Sequence, residues 1–308
     1  MSHISVLLHE TVDALLADRN TGIYIDGTFG RGGHTRLLLS KLDENARVYA
    51  FDKDPQALEV AYQLEKEDPR FKIIHASFAD LQREMNKLDI YQVDGVMADL
   101  GVSSPQLDQA DRGFSFMKDG PLDMRMDNSQ GLTAADWLVA VDEVDLANVI
   151  FQYGEERYSR RIAKAIKNAG YIETTAKLAE IIKVVFLICE KNKHAATRTF
   201  QAIRIEINKE LEDVHTFLPQ AVNLLKSNAR LAVISFHSLE DRIIKQFIQK
   251  ESTLAEDDGW GLPHKVKDTR KLKKIDRIRA SEAEIKENYR SRSAWLRVAE
   301  RLEQKGEQ

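Results

Sequence analysis

Residues 25–34 read IDGTFGRGGH, a short apolar strand that ends at Asp26 and continues into four glycines within seven positions. The periodicity then predicts a helix over 35–42. Glycine tolerates positive φ and lets a ligand approach the backbone closely, and the free N–H groups at a helix N-terminus attract polar or anionic groups. A purely structural turn needs fewer glycines. The stretch therefore predicts a ligand-binding loop at the carboxyl end of a β-strand.

The rest of the first third of the chain alternates strands with helices. Strands are predicted over 23–26, 47–51, 71–75 and 93–99, with helices between them. Asp54 followed by Pro55 is typical of a helix start, because the carboxylate accepts hydrogen bonds from free N–H groups and proline suits the first helical position. The alternation predicts an α/β fold with a parallel sheet that helices cover on both faces.

The middle of the chain has a different pattern. A loop over 112–131 contains several Met and Gly residues, and every periodic segment over 133–225 is helical. A buried strand over 230–236, a helix over 239–249 and an edge strand over 293–298 then return to the α/β pattern. The helical segment is therefore interpreted as an insertion into an α/β domain.

An acidic residue about 20 positions beyond a glycine loop accepts hydrogen bonds from ribose hydroxyls in nucleotide-binding α/β folds. Asp52 and Asp54 both lie at this distance. Because capping the helix already explains Asp54, the ribose is assigned to Asp52. The dinucleotide pattern G-x-G-x-x-G fails, since the sixth position counted from Gly30 is Thr35.

Ligands of open α/β sheets lie at the carboxyl ends of the strands. Asp26, Asp52, Phe78, Asp99 and His237 each follow a predicted strand and are expected to meet at one crevice. Asp99 fits either a ligand contact or a simple strand-end cap, and Phe78 fits either core packing or stacking on an adenine. His237 is interpreted as structural rather than catalytic.

The composition is that of a soluble globular protein of about two domains. The 308 residues are 43% hydrophobic and 31% charged, with a net charge of -4. A single cysteine, Cys189, excludes an internal disulfide and a cysteine-cluster metal site, which indicates a reducing compartment. There is no signal-peptide pattern, and the longest apolar stretch, 181–189, is too short to span a membrane. The expected location is the cytoplasm.

Two cationic segments are candidates for contact with nucleic-acid phosphates. Residues 265–279 hold eight Lys or Arg against two Asp. Arg157, Arg160, Arg161, Lys164 and Lys167 lie on one face of a predicted helix. Basic patches neutralise phosphates, but they also occur as ordinary solvated surface. Both interpretations stay open for each segment.

Seven motifs in order resemble those of one protein family. They are DGTFGRGGH (26–34), FDKD (51–54), DLGVSSPQ (99–106), GFSF (113–116), GPLDMRM (120–126), TFQAIRI (199–205) and SFHSLEDR (235–242). The set is similar to the bacterial RsmH (MraW) family of S-adenosylmethionine-dependent methyltransferases, which act on the N4 amine of a cytosine in the decoding region of 16S ribosomal RNA. The resemblance covers essentially the whole chain.

The resemblance implies a class I, Rossmann-like methyltransferase core over 1–111 and 206–308, with an inserted helical substrate-recognition domain over 112–205. It implies S-adenosylmethionine as the cofactor and 16S ribosomal RNA or the small ribosomal subunit as the partner; DNA and membranes are not expected partners, and a homodimer stays open. The cofactor contacts it implies are Gly32, Gly33, His34, Asp52, Phe78, Asp99 and Gln106.

Methyl transfer from a sulfonium chiefly requires placement of the nucleophile and exclusion of water, so no metal is expected. The amine of cytosine is a poor nucleophile, and a hydrogen-bond acceptor would localise its lone pair. Asp99 is the candidate catalytic residue for this role. Many amino-group methyltransferases carry Asp/Asn-Pro-Pro-Tyr/Phe here, whereas this chain reads DLGV over 99–102. Phe114, Phe116 and Trp137 are candidates for the missing stacking residue, and the loop over 112–131 for a lid.

Two other functions share some of these features. A nucleotide-dependent oxidoreductase would have the glycine loop and the strand-end acid, but the third glycine is missing at Thr35. A non-catalytic cofactor- and RNA-binding protein would keep the basic segments without needing Asp99. An oxidoreductase would bind NAD, whereas a methyltransferase would bind S-adenosylmethionine. A non-catalytic binding protein would bind the cofactor without transferring its methyl group.

Overall fold

The computed structural model of the protein describes residues 5–189, 195–254 and 268–303. The chain divides into two compact units. The first, called the α/β unit, is Met1–Gly101 together with Leu211–Gln308, and the second, called the helical unit, is Val102–Glu210.

The described residues form helices and strands in the following chain order. The helices are α1 (Leu8–Leu16), α2 (Gly33–Lys41), α3 (Pro55–Glu67), α4 (Leu81–Asn86), α5 (Ser104–Asp108), α6 (Ala134–Ala140), α7 (Glu143–Gly154), α8 (Ser159–Ala169), α9 (Thr175–Cys189), α10 (Ala195–Asn208), α11 (Glu210–Leu224), α12 (Ser238–Ser252) and α13 (Glu282–Glu287). The strands are β1 (Ile23–Asp26), β2 (Arg47–Asp52), β3 (Phe71–His75), β4 (Val93–Asp99), β5 (Leu225–Ser235), β6 (Leu272–Arg279) and β7 (Trp295–Arg301).

A seven-stranded sheet in the order β3-β2-β1-β4-β5-β7-β6 forms the centre of the α/β unit. The first five strands in this order are parallel, and β7 runs antiparallel to both of its neighbours. Because successive side chains of a strand point to opposite faces, Tyr24 packs with α1, α2 and α3, while Ile25 packs with α4, α11 and α12. The predicted α/β class, with helices on both faces of the sheet, is confirmed.

The basic segment contains a strand that the sequence did not predict. β6 is an edge strand in which Leu272 is buried, Ile275 and Ile278 are half-buried, and the other side chains are charged and exposed. The predicted edge strand over 293–298 is instead β7, which lies inside the sheet between β5 and β6. The edge was assigned to the wrong strand because an edge strand that is mostly charged gives little hydrophobic signal.

The helical unit has its own apolar core, built from α6, α7, α8, α9 and α10. Thr133 caps α6 as predicted, since its hydroxyl accepts a hydrogen bond from the Asp136 N–H at 3.1 Å. Apart from an isolated β-bridge between Pro121 and Thr174, the described elements of this unit are helical. The predicted insertion of helices into an α/β chain is therefore observed.

The boundaries of the helical unit, at 101/102 and 210/211, differ from the predicted 111/112 and 205/206. Arg112 is buried in the helical unit, where its guanidinium donates to the carbonyl oxygens of Arg125 and Met126. At the other end, Arg204 forms two contacts of 2.8 Å with Glu210. The Arg204–Glu210 pair spans the predicted limit at 205/206, and the Gly113 N–H donates to the Ala110 carbonyl at 3.2 Å across the predicted limit at 111/112.

Candidate active site

The glycine loop connects β1 to α2 at the carboxyl edge of the sheet. Two backbone hydrogen bonds anchor it, from the Gly27 N–H to the Met97 carbonyl at 2.8 Å and from the Phe29 N–H to the Phe51 carbonyl at 2.9 Å. Gly30 has φ 56°, and a Cβ at this position would meet no atom within 4 Å. The loop is therefore fixed to β4 and β2 while the Gly30 backbone faces open space.

Gly32 and Gly33 each lie where a side chain would clash with neighbouring protein atoms. Gly32 has φ 75°, and a Cβ there would lie 2.6 Å from the Phe29 ring. A Cβ at Gly33 would lie 2.0 Å from the Ser5 hydroxyl oxygen. Close packing against protein atoms therefore accounts for both glycines, and their contact with a ligand stays a prediction.

Asp26 ends β1 and is almost fully buried, with 1% exposure. Its carboxylate accepts hydrogen bonds from the Thr35 hydroxyl at 2.7 Å and from the Thr28 N–H at 3.1 Å. Burial nevertheless dominates and, with the nearby Asp52 charge adding to it, raises the pKa of Asp26 to about 7. The threonines hold this acid in place without removing the cost of burying its charge.

Asp52 ends β2 and holds the glycine loop. One carboxylate oxygen accepts a hydrogen bond from the Gly30 N–H at 2.8 Å, and the other accepts one from the Asp54 N–H at 2.9 Å. Burial raises the pKa of Asp52 to about 6. Asp54 caps α3 through the Gln56 N–H at 3.0 Å, so the predicted division of roles between the two acids is confirmed for the cap.

Asp99 ends β4, the strand next to the one that ends in Asp26. Its N–H donates to the Thr28 hydroxyl at 2.6 Å, and its Oδ2 lies 3.8 Å from Nδ1 of His34. Among the described residues its buried Oδ1 has no hydrogen-bond partner. Burial, together with the charges of Asp26 and Glu240, raises the pKa of Asp99 well above its ordinary value. A strand-end cap would satisfy both oxygens, so this geometry does not support a cap role, and the contact of Asp99 with a ligand stays a prediction.

His34 is buried in the first turn of α2. Its Nε2 lies 3.1 Å from the Val6 carbonyl, and its Nδ1 faces Asp99. A proton on Nε2 that is donated to Val6 leaves Nδ1 to interact with the carboxyl group. The N-terminal segment thereby fixes the orientation of this ring at the acidic edge.

Phe78 follows β3 in a short 3₁₀ turn and is half-buried. Its ring packs edge-to-face against Phe217 of α11, with the ring centroids 5.1 Å apart. A Cβ at Gly27 would lie 3.4 Å from the Phe78 Cβ, which puts this residue beside the glycine loop. Both predicted roles, core packing and ligand stacking, are consistent with this position.

Gln106 lies in the helical unit and is buried. Its side-chain oxygen accepts a hydrogen bond from the Ser103 N–H at 2.9 Å, as half of a capping box at the start of α5. This local role explains the burial of Gln106. Its predicted contact with the cofactor stays a prediction.

Glu240 is a buried acid at the same edge that the sequence analysis missed. It lies in the first turn of α12, with 1% exposure, and one oxygen accepts a hydrogen bond from the Phe236 N–H at 2.8 Å. The other oxygen lies 3.1 Å from Nε2 of His237. The sequence signal that could have identified Glu240 is its place three positions after the strand-end histidine, within the first turn of a helix.

The loop over 112–131 is fixed within the helical unit. Met124 donates its N–H to the Arg112 carbonyl at 3.0 Å, and the Asn208 side chain accepts from the Met126 N–H at 2.7 Å. The stacking candidates also have partners here: Phe114 is buried beside Arg112, and Phe116 and Trp137 pack against the helical core. These contacts are typical of a folded loop, and a lid function stays a prediction.

The two cationic segments differ in how many of their charges are used internally. In α8, Lys167 donates to the carbonyl oxygens of Leu138, Val139 and Val141 at 2.6–3.0 Å and so closes the end of α6. It therefore does not belong to the predicted cationic face. On β6, Lys273 and Lys274 are exposed, although Lys274 donates a hydrogen bond to the side-chain oxygen of Gln249.

Part of the predicted basic segment, residues 265–267, lies outside the described residues. In the described part, the Arg277 guanidinium lies 3.5 Å from the centroid of the Trp295 ring. Across 5–189, 195–254 and 268–303, no helix is long and apolar enough to span a membrane. The same residues contain no cluster of His, Cys, Asp or Glu with the arrangement of a metal site.

Comparison with known proteins adds independent information. The model of the MraW methylase family matches residues 1–302. Ribosomal RNA small subunit methyltransferase H of Acinetobacter baumannii (strain ATCC 17978) is 76% identical over 306 residues, covering 99% of this chain and 100% of that protein. The protein of the same name from Acinetobacter baylyi is 77% identical over 302 residues, covering 98% and 100%. That of Psychrobacter sp. (strain PRwf-1) is 52% identical, covering 98% and 91%.

Proposed function

Because this chain belongs to the MraW methylase family, we propose that it methylates the N4 amine of one cytosine in the decoding region of 16S ribosomal RNA. The chain is a methyltransferase, and its cofactor is S-adenosylmethionine. Its relatives are named for small-subunit ribosomal RNA, and the N4 target rests on the seven motifs. The observation that carries the proposal is the group of buried acids at three adjacent strand ends behind a glycine loop.

The residues at this edge fit the cofactor. Asp52 is held by backbone N–H groups that include those of Gly30 and Asp54, and its carboxylate oxygens are of the acceptor type that ribose hydroxyls require. Asp99 Oδ1 has no partner among the described residues and is suited to a donor of the ligand. The open space at Gly30 leaves room for close approach. Buried acids of raised pKa suit a ligand that carries positive charge.

We assign the cofactor contacts to Gly32, Gly33, His34, Asp52, Phe78, Asp99 and Gln106. Bound S-adenosylmethionine supplies a methyl group that sulfur activates for transfer. The chain must hold the amine in line with that group and keep water out. Asp99 contributes by holding the cofactor, and its second candidate role is to accept an N–H of the target amine. The helical unit is proposed to recognise the substrate.

We assign RNA phosphate contact to the edge strand β6. The exposed cations Lys273 and Lys274 have no ion-pair partner among the described residues, and they lie on a strand edge that a polyanion can approach. The α8 face is the alternative. Lys273→Glu with Lys274→Glu should weaken binding to small subunits and flatten its salt dependence, whereas Arg160→Glu with Lys164→Glu should change neither. The reverse result would transfer the contact to α8.

The proposed function is tested by methyl transfer from labelled S-adenosylmethionine to small ribosomal subunits from a strain that lacks this protein. Mass spectrometry then locates the label. The proposal predicts one N4-methylcytosine in 16S ribosomal RNA. Label on another base or another atom would refute the target, and cofactor binding without any label would favour the non-catalytic alternative. Naked 16S ribosomal RNA, assayed in parallel, distinguishes the two forms of the substrate.

A further inference from the structure

His237 is a half-buried histidine beyond the end of β5 whose ring nitrogens are both buried. His237 precedes α12 in extended conformation, and its side chain is only 13% exposed. Within the described residues, neither ring nitrogen of His237 makes a hydrogen bond. Since buried polar groups are nearly always hydrogen-bonded, these two nitrogens single out His237 as a candidate for a functional role.

A helix cap is the obvious structural role for His237, and the geometry does not support it. His237 occupies the N-cap position of α12 but makes no side-chain cap hydrogen bond. Oε1 of Glu240 lies 3.1 Å from Nε2 of His237 without the alignment of a hydrogen bond. Because Oε2 of Glu240 is held by the Phe236 N–H, this acid is fixed in place.

The His237–Glu240 pair adjoins the end of β4. The Leu100 N–H donates to the Ile234 carbonyl at 3.1 Å, which ties the turn after Asp99 to β5. A Cβ at Gly101 would lie 3.9 Å from Oε1 of Glu240, and the Glu240 charge contributes to the raised pKa of Asp99. The pair therefore stands beside the segment that occupies the position of the base-binding motif in amino-group methyltransferases.

We propose that His237 contacts the target amine and accepts its proton during methyl transfer, with Glu240 as a positioning residue. The inference rests on the proposed function and adds a residue to it. As the bond from the amine nitrogen to the methyl carbon forms, the bond from sulfur to that carbon breaks. The amine nitrogen gains positive charge, loses one proton to the imidazole, and the imidazole later releases that proton to water.

The chemistry of the two candidates favours His237 over Asp99 as the acceptor. Burial and the charges of Asp26 and Glu240 raise the pKa of Asp99 and so favour its protonated form, which offers a hydrogen where an acceptor is needed. With a proton on Nε2 facing Glu240, the imidazole of His237 presents the lone pair of Nδ1. Asp99 then serves the cofactor, and the amine is left to His237.

The test compares His237→Ala, His237→Gln and the matched control His215→Gln, since His215 is an exposed histidine of α11 in the same unit. Single-turnover methylation of small subunits is measured with saturating S-adenosylmethionine, together with affinity for S-adenosylhomocysteine and the Tm. We expect His237→Ala to lose at least about 100-fold in rate, in the range of general-base catalysis. Cofactor affinity should stay within about twofold, as expected for a group that does not touch the cofactor.

His237→Gln separates proton transfer from placement. A glutamine oxygen accepts a hydrogen bond from the amine but takes no proton, so KM for the subunit should stay near wild type while kcat falls. His215→Gln should match wild type in every measurement. Glu240→Gln, which keeps an acceptor for the Phe236 N–H, should lower kcat by about tenfold with unchanged cofactor affinity.

The proposal is overturned if His237→Ala stays within about threefold of the wild-type rate, well below a general-base contribution. It is also overturned if the loss of rate is matched by an equal loss of cofactor affinity or by a large fall in Tm, because His237 would then be a structural residue. Failure of the proposed function has a different signature, since the wild-type protein itself would leave the N4 position of cytosine unlabelled.

Discussion

The two units of this protein bury polar groups in different ways. In the α/β unit, Asp26 and Asp99 lie at strand ends where burial of their charge raises their pKa. In the helical unit, Arg112 donates to two backbone carbonyls, and Asn208 bridges Met124 and Met126. The first arrangement costs free energy in the isolated chain, whereas the second holds a loop closed.

This difference indicates where function lies. A buried group that packing does not require is kept for a ligand, while a buried group that satisfies backbone atoms is kept for the fold. Substitutions should therefore separate the two units. Changes at the strand-end acids should impair binding and turnover without unfolding the protein, and changes at the loop contacts of the helical unit should do the opposite.

The largest effect is expected for Asp99→Asn. Asparagine resembles a protonated aspartic acid in shape, so the free energy of unfolding should not fall. A lost hydrogen bond to a charged ligand costs about 1.5–3 kcal/mol, which predicts a loss of roughly 10- to 100-fold in affinity for S-adenosylmethionine by calorimetry. Glu59→Gln, on an exposed position of α3, is the control. Full turnover with unchanged affinity would remove Asp99 from the site.

Asn208→Ala should lower the stability of the protein rather than its affinity for the cofactor. It leaves the buried Met126 N–H and the Met124 carbonyl without their partner, at a cost of about 1–3 kcal/mol in the free energy of unfolding. Hydrogen exchange should become faster over 112–131. Asn168→Ala, at an exposed position of α8, should have little effect. Equal stability of the two variants would show that Asn208 does not hold the loop.

The pH dependence of stability gives a third test, through Asp26→Asn. Between about pH 4 and about pH 7, the folded protein keeps a proton on Asp26 that the unfolded chain has released. This group therefore makes the free energy of unfolding decrease as pH rises through that range. The stability of Asp26→Asn relative to wild type should increase by a few kcal/mol across the range in chemical denaturation. A constant difference would mean that the pKa of Asp26 is not raised.

Gly33→Ala should lower the Tm through a local clash that a second substitution can remove. The added methyl group would lie 2.0 Å from the Ser5 hydroxyl, and overpacking of this kind costs about 1–3 kcal/mol. Ser5→Gly combined with Gly33→Ala removes the clash and should recover most of the Tm. If the double variant is as unstable as the single one, contact with Ser5 is not the reason for glycine at this position.

Strands and caps could be predicted from the sequence where a single physical cause determines the local structure. β1, β2 and β4 are mostly apolar strands that each end in an acid, and the Asp54 cap needs only local chemistry. The edge strand β6 could not be found this way, because most of its side chains are exposed and charged. Its absence from the prediction also led to the misplacement of β7 at the edge.

The sequence predicted which strand-end residues form the candidate site, but it did not predict the side-chain contacts that those residues make. Parallel strands bring their carboxyl ends to one edge, which predicts that Asp26, Asp52 and Asp99 are neighbours. The Thr35 contact to Asp26 and the Lys167 contacts to α6 depend on side-chain packing between distant segments. Spacing in the sequence does not encode such contacts, and the cationic face of α8 was overestimated for that reason.

The most direct test of the central claim is the number of protons released when the protein binds its cofactor. Calorimetry at about pH 6.5, in buffers of different ionisation enthalpy, measures this number. Acids with pKa raised to about 7 at Asp26 and about 6 at Asp52 hold protons that a cationic ligand should displace. We predict proton release with S-adenosylmethionine and less with S-adenosylhomocysteine, which lacks the sulfonium charge. Binding heats that are independent of the buffer for both ligands would contradict the assignment of this edge as the cofactor site.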